Sequence, residues 1–149
     1  MAKIFWVDEE DNVSYPDVKY LEYRGHLVAQ EYSAGGALDW FLANKDALAD
    51  YAAFVIDVQL PIHDDQRFVS EKWTHGAFAG LRLCELLEEC LGRVVWERVR
   101  ARSLMYTRLP DTSRMHSIQE FAEKNGIAFR HKADGASLVG NLVELRLIS

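Results

Sequence analysis

The 149-residue sequence holds only two cysteines and three prolines, has no excess of basic charge, and contains no apolar run approaching the ~20 residues needed to span a bilayer. Each shortage removes a class of protein. Cys84 and Cys90 stand six apart without CxxC spacing or nearby ligands to complete a zinc site, so both read as reduced core residues. The formal net charge of −6 argues against nucleic-acid binding. Lys and Arg are scattered except over residues 93–102, where apolar and basic residues mix as they do on a solvated helix face or a partner surface, the solvated face being the simpler reading. The N-terminus lacks the apolar segment of a signal peptide, so a cytosolic location is expected. Neither a GxGxxG nor a P-loop glycine pattern occurs. There is no internal repeat, low-complexity tract or linker rich in Gly, Pro and Ser.

What remains is a chain 49% apolar and 27% charged, long enough to bury a sizeable core, and residues 1–149 are read as one domain. Strand and helix signals alternate along it, the pattern of a parallel sheet covered on both faces. Short β-rich runs fall near residues 4–7, 26–30, 52–56, 103–106 and 127–129. Between them, Ser14 offers a cap to a first helix that has Pro16 in its first turn, Val18 and Leu21 on its core side and Gly25 past its end. Gly35-Gly36 opens a second helix with Ala37, Leu38, Phe41 and Leu42 on one stripe. Leu83, Leu86, Leu87, Cys90 and Leu91 mark a third. Asp111, Thr112 and Ser113 offer caps to a fourth, carrying Met115, Ile118 and Phe121 or Ala122 and stopped by Asn125-Gly126. Leu138, Leu142 and Leu145 mark a fifth. The sum is a flavodoxin-like (βα)5 doubly wound sheet with expected strand order 2-1-3-4-5.

Functional residues sit where apolar runs stop. Asp8 and Glu9 follow the first strand, with Glu10 and Asp11 beyond them read as solvated; Asp57 follows the third, Thr107 the fourth and Lys132 the fifth. Open α/β sheets bind ligands at these carboxyl ends. With the first and third strands adjacent, Asp8, Glu9 and Asp57 are expected to converge, and carboxylates so close repel unless a cation relieves them. Mg²⁺ suits such a site, because it takes oxygen ligands, keeps several waters and works beside phosphate. Asp57 is then the natural acceptor for an in-line phosphoryl transfer, with Lys132 and Thr107 offering a charge and a hydroxyl to the phosphoryl oxygens.

At these positions the chain resembles the receiver domain of two-component response regulators (CheY-like). The resemblance spans nearly the whole chain and rests on Asp8-Glu9, on Asp57 with Val58-Gln59-Leu60-Pro61 after it, on Thr107 and on Lys132. It implies that Asp57 is phosphorylated from a histidine kinase or phosphotransfer protein, and that Asp8, Glu9, Asp57 and the backbone carbonyl of Gln59 hold Mg²⁺. It further implies that Thr107 and Phe129 form the switch that reshapes the face of the fourth helix, fifth strand and fifth helix. The resemblance implies no enzyme beyond self-catalysed phosphotransfer and autodephosphorylation, and an unknown downstream protein as partner.

Three features depart from the family pattern. Ala133 follows Lys132 where the family usually has a cis proline, Arg108 follows Thr107 where it prefers a small residue, and the loop at about 62–79 is longer than usual, running through His63-Asp64-Asp65 to Gly76. These favour an alternative, a divergent receiver-like interaction module that is not phosphorylated. An enzyme on the same fold is the third reading, disfavoured because Val58-Gln59 after Asp57 breaks the Asp-x-Asp motif of common aspartyl-phosphate hydrolases. The chain stops a few residues after its fifth helix, so a stand-alone receiver is expected. The switch face and the long loop are the two candidate surfaces for a homodimer or a partner.

Overall fold

A computed structural model describes residues 1–9, 11–69, 78–108, 112–132 and 137–149, with backbone alone for 11–15, 112 and 113. Five parallel strands, β1 (Lys3–Val7), β2 (Leu27–Glu31), β3 (Ala53–Ile56), β4 (Ser103–Thr107) and β5 (Ala128–His131), form one sheet in the order β2-β1-β3-β4-β5. This is the expected order. The helices are α1 (Asp11–Tyr23), α2 (Ala34–Ala43), α3 (Ala79–Leu91), α4 (Arg93–Arg100), α5 (Thr112–Lys124) and α6 (Leu138–Glu144).

Side chains alternate across each strand and divide the core in two. Phe5, Val7, Phe54, Ile56 and Met105 point to the face covered by α2, α3, α4 and α5. Ile4, Trp6, Val55, Leu104 and Tyr106 point to the face covered by α1 and α6. Burial on both faces is why the central runs are continuously apolar. Trp40 stacks on Phe5 at 4.1 Å between ring centroids, and Phe41 meets Phe5 edge-on at 5.0 Å, so α2 is fixed to β1 through rings.

Helix ends follow local rules. The Ser33 hydroxyl accepts the Gly36 amide at 3.0 Å and caps α2. Gly25 and Gly126 take positive φ, and the amides after them reach back to Leu21 and Ala122, the pattern that closes α1 and α5.

The structure corrects several expectations. Helix α1 begins at Asp11, so Ser14 lies inside it and Pro16 sits in its interior rather than its first turn. The basic stretch after α3 is a separate short helix, α4, that buries Trp96 and Val99, three residues apart on one face; the charges occupy the other face and are what the composition registers. Cys84 is buried but Cys90 is exposed, because six residues on a helix turn the second side chain well away from the first. Leu42 is likewise exposed. Asp111, Trp73, His75 and Gly76 lie outside the described residues.

The described part of the long loop is fastened down. Asp65 accepts the Arg67 amide at 3.0 Å and pairs with its guanidinium at 2.6 Å, while Arg67 also reaches Asp39 on α2 at 2.7 Å. Arg82 of α3 donates to the Arg67 carbonyl at 3.2 Å, and Phe68 is buried beneath.

Gly80, in the first turn of α3, packs directly on the backbone that follows β3. Its amide donates to the Val58 carbonyl at 2.9 Å, and a Cβ there would stand 2.2 Å from the Asp57 carbonyl oxygen. Only main chain lies opposite, so no rotamer can give way. Gly80→Ala is therefore expected to destabilise the protein by about 1–3 kcal/mol, the usual cost of forcing an extra methyl into a packed interior. Urea denaturation checks this; an unchanged midpoint would mean that α3 does not sit against the strand end.

Candidate functional site

The register of the central strands brings their carboxyl ends level. Val7 pairs with Glu31 on one side and Ile56 on the other, so Asp8 and Asp57 each leave their strand one residue later, side by side. The ladder runs on through them: the Asp8 amide donates to Glu31 and the Asp57 amide to Val7, both at 3.1 Å. Both aspartates are buried, 3% and 6% exposed.

Lys132 closes the pair. Its ammonium lies 2.6 Å from Asp8 Oδ2 and 3.1 Å from Asp57 Oδ2, with the side chain 6% exposed. The backbone helps to place it: β5 runs beside β4, and the Lys132 amide donates to the Thr107 carbonyl at 2.8 Å. The other Asp57 oxygen, Oδ1, accepts the Gln59 amide at 3.2 Å. Thus both oxygens of Asp57 are oriented.

The charges do not cancel. Burial, opposed by Lys132 and reinforced by Asp8, pushes Asp57 up to about 6. Burial works against the Lys132 ammonium, but Asp57 and Asp8 outweigh it and hold its pKa above the usual lysine value.

Of the residues expected at this site, Asp8, Asp57, Thr107 and Lys132 come together at the ends of β1, β3, β4 and β5. Thr107 is fully buried. Gln59 is half-buried beside Asp57. Phe129 pairs in register with Met105 and packs half-buried against the core on the α5 side. Glu9 does not join them. It is exposed, lying at a bend past the end of β1, and among the described residues no three Asp, Glu, His or Cys side chains gather to hold a metal. Glu10 and Ala133 lie outside the described residues, and of Asp11 only the backbone is described.

The donors that are present fit Mg²⁺. Asp8 and Asp57 offer hard carboxylate oxygens with negative charge left over after Lys132, and an ion that keeps most of its waters needs only one or two carboxylates. Gln59, whose carbonyl was expected to be a further ligand, follows Asp57 by two residues.

Two neighbours were not assigned to the site by sequence reasoning, Asp17 having been read only as a weak capping partner of Ser14. The Tyr106 ring lies under Lys132, with Nζ 5.6 Å from the ring centroid, a cation–π distance. Asp17 on α1 is partly buried; burial raises its pKa while Lys132 pulls it back. Signals for both were present: Tyr106 shares the alternation of Leu104, and Asp17 stands four residues before the buried Leu21, on the same helical stripe.

No protein-family model matches the chain, and no curated protein matches its sequence. Solved structures do match. The response regulator TrrA of Thermotoga maritima, in complex with Mg²⁺-BeF, superposes with TM-score 0.64 at 14% identity, covering 99% of this chain and 100% of that one. A CheY-like receiver domain protein from Methanospirillum hungatei gives 0.61 at 18% identity, covering 99% and 94%. A Burkholderia pseudomallei response regulator bearing a phosphorylated aspartic acid and a calcium ion gives 0.63 at 18% identity, covering 97% and 66%. With its five-stranded parallel sheet in the order 2-1-3-4-5, the chain has the CheY-like fold of response regulator receiver domains over nearly its whole length.

Proposed function

We propose that this chain is a phosphorylatable receiver, in which Asp57 accepts a phosphoryl group from a histidine kinase or phosphotransfer protein and phosphorylation shifts the population of a protein-binding face. The single observation that carries this reading is the Lys132 ammonium held between the buried carboxylates of Asp8 and Asp57 at the ends of adjacent strands. The Mg²⁺-BeF complex of TrrA and the phosphorylated aspartate of the Burkholderia protein support it by likeness of fold.

In this mechanism an oxygen of ionised Asp57 attacks phosphorus while the P–N bond of a phosphohistidine breaks and the imidazole leaves. The new P–O bond makes an acyl phosphate. Asp8, Asp57 and the Gln59 carbonyl would hold Mg²⁺, which would supply charge that offsets the phosphoryl oxygens, and Glu9 would add negative charge from the exposed rim. Lys132 exchanges a carboxylate partner for a phosphoryl oxygen, with the Tyr106 ring beneath it. Thr107 donates its hydroxyl to another oxygen, and Phe129 follows by packing inward, altering the face formed by α5, β5 and α6.

A second reading has its own support. Lys132 already bridges both carboxylates, and the bulky Arg108 follows Thr107, as suits an interaction module that keeps the pocket without using it. Intact mass after incubation with acetyl phosphate separates the two. The receiver reading expects a gain of one phosphoryl group that requires Mg²⁺, disappears with chelator and is lost in Asp57→Ala. No gain despite bound Mg²⁺ would overturn it in favour of the interaction module.

The raised pKa of Asp57 gives a second test. Its folded value of about 6 exceeds the ordinary 3.8, so the folded state holds the Asp57 proton more tightly than the unfolded chain. The stability this contributes is present at acid pH and is lost as pH rises from 3.8 to about 6. Wild type is therefore expected to lose stability relative to Asp57→Asn across that window and to run parallel to it above, as read from urea unfolding at a series of pH values. A constant difference through the window would contradict the buried, incompletely neutralised carboxylate. Because the attacking group is the carboxylate, phosphorylation also slows as pH falls through the Asp57 pKa, and bound Mg²⁺ moves that midpoint lower.

A further inference from the structure

We propose that the cavity at the amino-terminal edge of the sheet binds a small apolar monoanion, an aryl or short-chain carboxylate. The cavity, of about 170 Å³, lies between the 3-10 turn Lys45–Asp50, helix α4 and the starts of β3 and β4. Leu48, Phe54 and Val99 form its buried floor, and Val95 is its half-buried wall. An apolar cavity of roughly 150 Å³ stays dry and takes a benzene ring, whereas sites for larger metabolites run from about 300 Å³ upward. The size therefore selects a ligand of one ring or a short chain.

The mouth selects the sign of its charge. Lys45, Arg98 and Arg102 surround it against a single acid, Asp46, in a chain whose overall charge is −6. Arg102 is fixed in place, its Nη1 donating to the carbonyls of Ala49 and Tyr51 at 3.0 Å each. On α4 Arg93 is taken up by Glu97, but Arg98 of that helix and Lys45 of the 3-10 turn have no ion-pair partner among the described residues. A carboxylate at the mouth meets these cations while its apolar body displaces nothing polar from the floor. This assigns a role to the basic stretch of α4, which the carboxylate site does not use.

The site is remote from Asp57. Phe54 pairs with Ser103 at the beginning of β4, whereas Asp57 leaves β3 at the opposite end. The proposal is thus independent of phosphorylation.

Amide NMR titration of the intact chain with benzoate, and in parallel with neutral benzamide, tests it. Saturable shifts centred on Leu48, Val95 and Val99 are expected with benzoate, with benzamide binding more weakly. Arg98→Gln should weaken benzoate by about threefold, as befits a solvent-exposed charge pair, and leave benzamide unchanged. Val95→Trp and Ala49→Trp, each filling the cavity from an accessible wall, should abolish both. Absence of saturable shifts in the wild type, shifts centred elsewhere, or benzamide binding as tightly as benzoate would each overturn the proposal. The wild-type titrations decide the matter even where a filling variant fails to fold.

Discussion

Two carboxylates cannot share a dry pocket without a countercharge, and in this protein that countercharge arrives from the far end of the sequence. Lys132 stands 124 residues from Asp8 and 75 from Asp57, and its ammonium bonds to both. One side chain therefore ties the end of β5 across β4 to the ends of β3 and β1. Such a triad is weak ground for stability as a whole, since desolvating three ions costs several kcal/mol, but it is unforgiving of partial loss. Removing one partner of a buried ion pair leaves the rest uncompensated, at a cost on the order of 3–5 kcal/mol. The arrangement requires β1 beside β3 and β4 beside β5, which the observed order supplies.

Much of this was legible in the sequence because the physics is local. Strands buried on both faces announce themselves as short apolar runs, glycine marks the ends of α1 and α5, and a charged or hydroxyl residue at the close of such a run is placed at the end of the sheet. Asp8, Asp57, Thr107 and Lys132 were readable for that reason. What stayed hidden depends on orientation or on distant partners. Glu9 turns away at a bend just past β1, which composition does not register. In α4 the pair Trp96 and Val99 was masked by the surrounding arginines, although their spacing of three places them together. Tyr106 becomes relevant to the site only once β5 lays Lys132 over its ring.

The departures from the family pattern are answered by structure particular to this chain. The described part of the long loop is held by Arg67 between Asp65 and Asp39 and seated on the buried Phe68. Individually, exposed ion pairs of this kind contribute little, roughly 0–1 kcal/mol, but three fastenings on one short segment select a single path for it. Lys132, whose loop has no proline to set it, is nevertheless seated through its own amide on Thr107 and its ammonium over Tyr106.

The contact at Gly80 makes α3 and the Asp57 peptide a single mechanical part. Ordinary helix-to-sheet contacts are cushioned by side chains that swivel, so a small movement on one side dies out within a layer of methyl groups. Here main chain bears on main chain, joined by a hydrogen bond of 2.9 Å, with no compliant material between. A displacement at the Asp57–Val58 backbone is therefore passed to the thirteen-residue helix directly, with α3 as the lever.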